Sequence, residues 1–189
     1  MGRISRICLF WGCIWVASAA VAAQEVVHAL TGTVNNVNLA AKTITILTDD
    51  GSNSTFKDLT DPDTKIDFDK RIRAGAAEVD TFTQKGAYAI IFYFGEGNMR
   101  TAVAVRSLGS GPFTKNNGTV TKFDGRAHLL SIREESGTVE SFKIAADTVA
   151  ETGMGAEEGF KFEPQKDDRV QVIASLVNGS ATALFINSM

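Results

Sequence analysis

Gly118-Thr119-Val120-Thr121-Lys122-Phe123-Asp124, running on through Leu129-Leu130-Ser131-Ile132 to Ser136-Gly137, has an earlier twin at Gly32-Thr33-Val34-Asn35-Asn36-Val37-Asn38. In the earlier copy the Gly-x-Val pattern leads into Lys42-Thr43-Ile44-Thr45-Ile46, then Asp50-Gly51, then Phe56. In the later copy it leads into His128-Leu129-Leu130-Ser131-Ile132, then Ser136-Gly137, then Phe142. The spacing from Gly to Gly to Phe is the same in both. After a small length change the copies align again. Lys85-Gly86-Ala87-Tyr88 stands against Lys166-Asp167-Asp168-Arg169, and Ala102-Val103-Ala104-Val105-Arg106-Ser107-Leu108 against Ala183-Leu184-Phe185-Ile186-Asn187-Ser188-Met189. Ordered agreement over most of two units reads as an internal duplication, and such a period sets the architecture before any single element does.

Each unit reads as five short strands. Ile44 and Ile46 alternate with Thr43 and Thr45 ahead of the Asp50-Gly51 turn, a period-two hairpin signal. Ala87 to Phe94 is an almost continuous apolar run between Gly86 and Gly95, as expected of a strand buried on both faces or meeting a neighbouring unit. One parity of that run, Ile91 or its neighbours, is therefore expected in a contact between the units. Between strands three and four the first unit inserts Lys70 to Val79, where Ile72, Ala76 and Val79 share a helical face behind an Asp69 cap. The matching stretch Glu151 to Gly159 is too rich in glycine for more than a turn of helix. Three strands, a helix or loop, then two strands is the order of the five-stranded OB-fold barrel. The expectation is an all-β chain of two tandem OB-like barrels, 24–111 and 112–189. Another small barrel with an SH3-like chain path is the alternative.

Residues 1–23 carry Arg3 and Arg6, an apolar run from Ile7 to Val16, and Ala17-Ser18-Ala19-Ala20-Val21-Ala22-Ala23. These are the regions of a secretory signal peptide cleaved after Ala22 or Ala23, which implies a periplasmic or extracellular protein. The run is shorter than the ~20 residues of a membrane span. Cleavage removes Cys8, Cys13, Trp11 and Trp15, so the mature chain is cysteine-free and without tryptophan. It also leaves seventeen basic residues against twenty-two acidic, a balance that opposes binding to nucleic-acid phosphates.

The Gly-x-Val-x-x-hydrophobic opening, the glycine turn, Asp63-Thr64-Lys65-Ile66, the Lys85-Gly86 or Asp167-Asp168 entry to strand four and the Ala-rich last strand resemble a family of exported bacterial small β-barrel domains of unknown function. Those domains often occur in tandem and are distantly similar to periplasmic bacterial OB-fold proteins. The resemblance covers nearly all of the mature chain, implies location and fold, and transfers no catalytic residue.

Few residues point to chemistry. The stretch Asp58 to Asp69 is acidic enough to suggest calcium, but it lacks the Gly and terminal Glu of an EF-hand loop and contains Lys65, so a solvated loop is the plainer reading. His28 and His128 are the only histidines, the first in a flexible lead-in and the second at a barrel mouth. There is no Gly-x-Ser-x-Gly elbow and no Walker spacing, and neither an enzyme nor a cofactor is expected. By fold analogy the loops framing strands two and three gather Lys42, Arg100, Phe123, Arg126 and His128 as a cationic ligand-binding mouth. The expected function is a non-catalytic exported binding or scaffold protein, its partner another protein or an anionic glycan. The alternatives are a single-strand nucleic-acid binder, disfavoured by charge, and a metal-dependent hydrolase.

Overall fold

The structure, a computed structural model, describes residues 24–58, 64–97, 100–177 and 179–189. The expected signal peptide, 1–23, and the centre of the acidic stretch, 59–63, lie outside the described residues. The strands of the first half are β1 (Glu25–Val26), β2 (His28–Asn38), β3 (Thr43–Thr48), β4 (Asn53–Asp58), β5 (Ile66–Asp67), β6 (Tyr88–Phe94) and β7 (Thr101–Gly109). Those of the second are β8 (Thr114–Asp124), β9 (Leu129–Glu134), β10 (Val139–Thr152), β11 (Gly155–Glu158), β12 (Arg169–Val177) and β13 (Ser180–Ser188). The chain is thus mostly β. Among the described residues no helix is long and apolar enough to cross a membrane.

In the first half β2, β3, β4, β7 and β6 close in that order into a five-stranded barrel. Period-two alternation decides which side chains fill it: Ile44, Ile46 and Phe56 are fully buried, while Thr45 faces Thr55 outside and their hydroxyls bond at 2.9 Å. In the second half the order is β11-β10-β13-β12-β8-β9, and β10 also pairs with β9 from Val139↔Arg133 to Lys143↔Leu129.

The twin stretches occupy matching ladder positions. Gly32 faces Thr48 as Gly118 faces Glu134, Ile44 faces Phe56 as Leu130 faces Phe142, and β2 and β8 carry register shifts after Val34 and Val120. Lys57 meets Thr101 in parallel as Lys143 meets Thr182. The twin glycines have a steric cause: a Cβ on Gly32 would stand 2.5 Å from the Leu47 carbonyl oxygen, and one on Gly118 2.6 Å from that of Arg133.

The insertions differ. In the first half Asp69 accepts from the Arg71 and Ile72 amides at the start of α1 (Lys70–Ala74), which buries Ile72, and a 3₁₀ turn at Val79–Thr81 buries Val79. In the second no α-helix forms. β10 runs on to Thr152 and returns as β11, Val149 facing Glu158 and Thr152 facing Gly155. Gly155, at φ +116, holds the left-handed conformation that this return requires, and a Cβ there would press on Val26 and the Val27 carbonyl oxygen.

The two halves pack through alternate residues of β6. Ala89 and Ile91 point into the first barrel with Val34, Ile44, Ile46 and Phe56. Tyr88, Ile90 and Phe92 point outward into a cluster with Val149, Ile173 and Phe185 of the second half. The contact parity is therefore that of Ile90, and Ile91 itself belongs to the barrel core. On the other side of the contact, Val149 faces Phe185 and Phe185 faces Ile173 across β10, β13 and β12. Residues of the opposite parity, Ala150, Ile186 and Val172, fill the second core. Arg106 joins the halves as well, donating to the Gly75 carbonyl at 3.1 Å, to Ile72 at 2.8 Å and to Asp147 at 2.8 Å.

Candidate functional site at the junction of the two halves

The outer face of the second half changes character within two residues. The row Val149, Phe185, Ile173 ends on β8 at Lys115, and the next row of the same parity is Glu151, Asn187, Gln171 and Asn117. Side chains alternate along a strand, so the two rows face the first half together. The apolar row is buried against β6, whereas Asn187, Gln171 and Asn117 line a cleft of about 510 Å³ between the halves. The first half contributes Thr31, Thr48, Asp49, Asp50, Ser52, Ser54, Tyr93 and Arg100.

Each acidic group around this junction is already engaged. Asp49 accepts from the Tyr88 hydroxyl at 2.6 Å and from Thr31 at 3.2 Å, and is ion-paired with Lys115, whose ammonium lies 4.7 Å from the Tyr88 ring centre. Burial, followed by the bond to Asp49, raises the Tyr88 pKa, so this phenol stays a neutral donor. Asp50 accepts from the Thr48 hydroxyl and from the Ser52 amide, and bonds to the charged form, that from Thr48 foremost, lower its pKa to about 2. Glu151 accepts from His28 Nδ1–H at 2.7 Å and the Ala29 amide at 2.6 Å. Burial nonetheless raises its pKa, with the His28 bond opposing. His28 is thus the first residue of β2, facing Tyr93, rather than part of a flexible lead-in. Its contact to Glu151 locks the two halves.

The remaining polar groups are available. Asn117, Gln171 and Asn187 make no side-chain hydrogen bond among the described residues. The Arg100 guanidinium lies 5.3 Å over the Tyr93 ring and, among the described residues, reaches only Ser54 Oγ, at 3.5 Å. Burial raises the pKa of Tyr93, so this phenol too stays protonated at neutral pH.

The five residues expected at a common mouth fall into two groups. Lys42, exposed and at φ 49, and Arg100 lie together in the first barrel: the Lys42 carbonyl accepts from the Asp58 amide and that of Arg100 from the Lys57 amide. Phe123, Arg126 and His128 gather at the β8–β9 turn, where Asp124 accepts from the Arg126 amide at 3.1 Å and His128 stacks on Phe160 at 4.1 Å. His128, at φ 50, repeats the backbone of Lys42, and its carbonyl accepts from Ile144. Among the described residues no hydrogen bond, ion pair or ring contact joins the two groups. In the acidic stretch, Asp69 is committed to the α1 cap and to Lys161 at 2.6 Å. The amide row escaped the sequence reading because its members come from separate strands; the apolar run Val172-Ile173-Ala174, which breaks alternation, was the available sign that this face is covered. No protein-family model matches the chain, and no curated protein resembles it in sequence.

Proposed function

We propose that the protein is a non-catalytic exported binding module, made of two duplicated five-stranded OB-like barrels held as one body, that takes its ligand in the cleft at their junction. The observation that carries this reading is the cleft itself, about 510 Å³, lined from both halves and carrying on the second half a row of three amide side chains without partners among the described residues. That size suits a small ligand. A buried contact of one strand face against another makes the cleft walls rigid, which limits the ordering cost of binding.

The engaged state of the hydroxyls and histidines supports binding over catalysis. Thr48 and Ser52 are tied to Asp50, Thr148 donates to the Ala183 carbonyl, and His28 and His128 meet Glu151 and Phe160. Among the described residues none of these hydroxyls is hydrogen-bonded to a histidine, as an activated nucleophile would be.

The test is a plug in the cleft. Asn187→Trp fills it from a half-buried strand position, and protein purified natively from the exported fraction is denatured and searched for released small molecules. Wild type carries a molecule that the plugged variant lacks. Identical molecules in both, or a molecule lost only from Arg126→Glu and Phe160→Ala, moves the site to the β8–β9 turn. The stack of His128 on Phe160 beside Arg126 is the observation that favours that second reading.

A further inference from the structure

The amide row restricts the chemistry of the ligand. Asn117 faces Gln171 and Gln171 faces Asn187 in register, so the three side chains stand one strand spacing apart, about 4.8 Å, on one face. Each carboxamide offers two N–H donors and a carbonyl acceptor. A row of groups that both donate and accept suits a ligand whose own groups do the same at short intervals, as the hydroxyls of a sugar ring do. A purely cationic or anionic ligand would use half of each amide. Leu30 and Met189, which line the cleft, give the C–H face of such a ring apolar surface.

Charge then selects among polyols. Asp49 is answered by Lys115, and Asp50 is tied through Oδ1 to its own turn by the Thr48 hydroxyl and the Ser52 amide. Arg100 is the cleft cation with donors in excess, because a single long bond to Ser54 uses one arm of its fork. A guanidinium presents two parallel N–H groups to a carboxylate, and the Tyr93 ring below holds its plane.

We propose that the junction cleft binds a short acidic saccharide, its hydroxyls on Asn117, Gln171 and Asn187 and its carboxylate on Arg100. The assignment rests on the binding-protein reading above and adds the ligand class. It is tested by calorimetric titration of the purified protein with digalacturonate and with its neutral counterpart galactobiose. Digalacturonate is expected to bind at least ten-fold more tightly. Arg100→Gln brings it down to the level of the neutral sugar, and Gln171→Val removes binding of both. Circular dichroism identical to wild type establishes that each variant is folded, and Asn187→Val serves as a second amide variant should Gln171→Val fail that check.

Absence of binding by both sugars overturns the ligand class, as does equal binding of the two or indifference to Arg100→Gln. If the class falls while Asn187→Trp still strips a natively bound molecule, the cleft remains the site and its ligand is not an acidic saccharide. If the plug strips nothing, the site assignment falls with it.

Discussion

Phe185→Ala tests whether the two halves are one thermodynamic body. Phe185 is 2% exposed, yet it is not part of the core of its own half, where Ile186 points instead. Its burial comes from Tyr88, Ile90 and Phe92 of the first barrel together with its sheet neighbours Val149 and Ile173. If the halves were separate, truncating a surface residue would leave stability within about 0.5 kcal/mol of wild type. In the packed arrangement a buried phenylalanine removes roughly 200 Å² from water, which at about 25 cal/mol per Å² comes to about 5 kcal/mol as an upper value. Measured truncations of this kind cost about 3–5 kcal/mol. That is a large part of the ~5–15 kcal/mol that holds a typical domain folded.

The chain supplies its own reporter. Tyr88 and Tyr93, both in β6 of the first half, are its only tyrosines. Tyrosine near-ultraviolet dichroism during urea unfolding therefore follows the first barrel, while hydrogen exchange of the β12 and β13 amides follows the second. The expected result for Phe185→Ala is a single transition at lower urea, seen at the same midpoint by both probes. A tyrosine transition unchanged from wild type would refute the packed-body reasoning.

Arg106→Lys should lower stability by about 1–2 kcal/mol, because an ammonium does not reach the three carbonyl acceptors of Ile72, Gly75 and Asp147 at once, of which that of Ile72 is part-buried and the other two are exposed; urea unfolding measures it, and a loss below about 0.5 kcal/mol contradicts it. Glu151 has a folded pKa raised above its unfolded value, so its charge opposes folding above the folded pKa, and the penalty disappears as pH falls through that value to the unfolded one. Glu151→Gln keeps an acceptor for the Ala29 amide and turns its NH2 to His28, whose ring shifts to the tautomer with Nδ1 as acceptor, and is expected to match or exceed wild-type stability at neutral pH, with the advantage vanishing in acid; a melting-temperature series across pH checks the sign. Gly118→Ala and Gly32→Ala should each cost about 1–3 kcal/mol by overpacking against the neighbouring strand's carbonyl, whereas Gly137→Ala, with open space around its Cβ, should lose only what its φ of +86 imposes. Equal melting temperatures for Gly118→Ala and wild type would remove that explanation of the twin motif.

The mostly β character and the hairpins were legible in the chain alone. Alternation of Ile44 and Ile46 with threonine reports the face of a strand, and Gly32 and Gly118 recur where a neighbouring carbonyl comes too close for a side chain. These are local properties, carried by a few consecutive residues and their immediate ladder partners. The Asp69 cap was readable for the same reason, whereas the β10–β11 return was not, because Gly153 and Gly155 weaken a helix without saying what replaces it. A continuous apolar β6 announced a second buried face, but period two leaves both parities apolar there, and only packing decided that Ile90 and Phe92 meet the other half while Ile91 fills the barrel. The grouping of candidate binding residues was a tertiary decision too: Arg100 joined Tyr93 and the row of Asn117, Gln171 and Asn187, while Phe123, Arg126 and His128 stayed at another turn. Gln171 and Asn187 come from the consecutive strands β12 and β13, but Asn117 comes from β8, far away in the chain, and ladder register brings it beside Gln171 only once the sheet has formed.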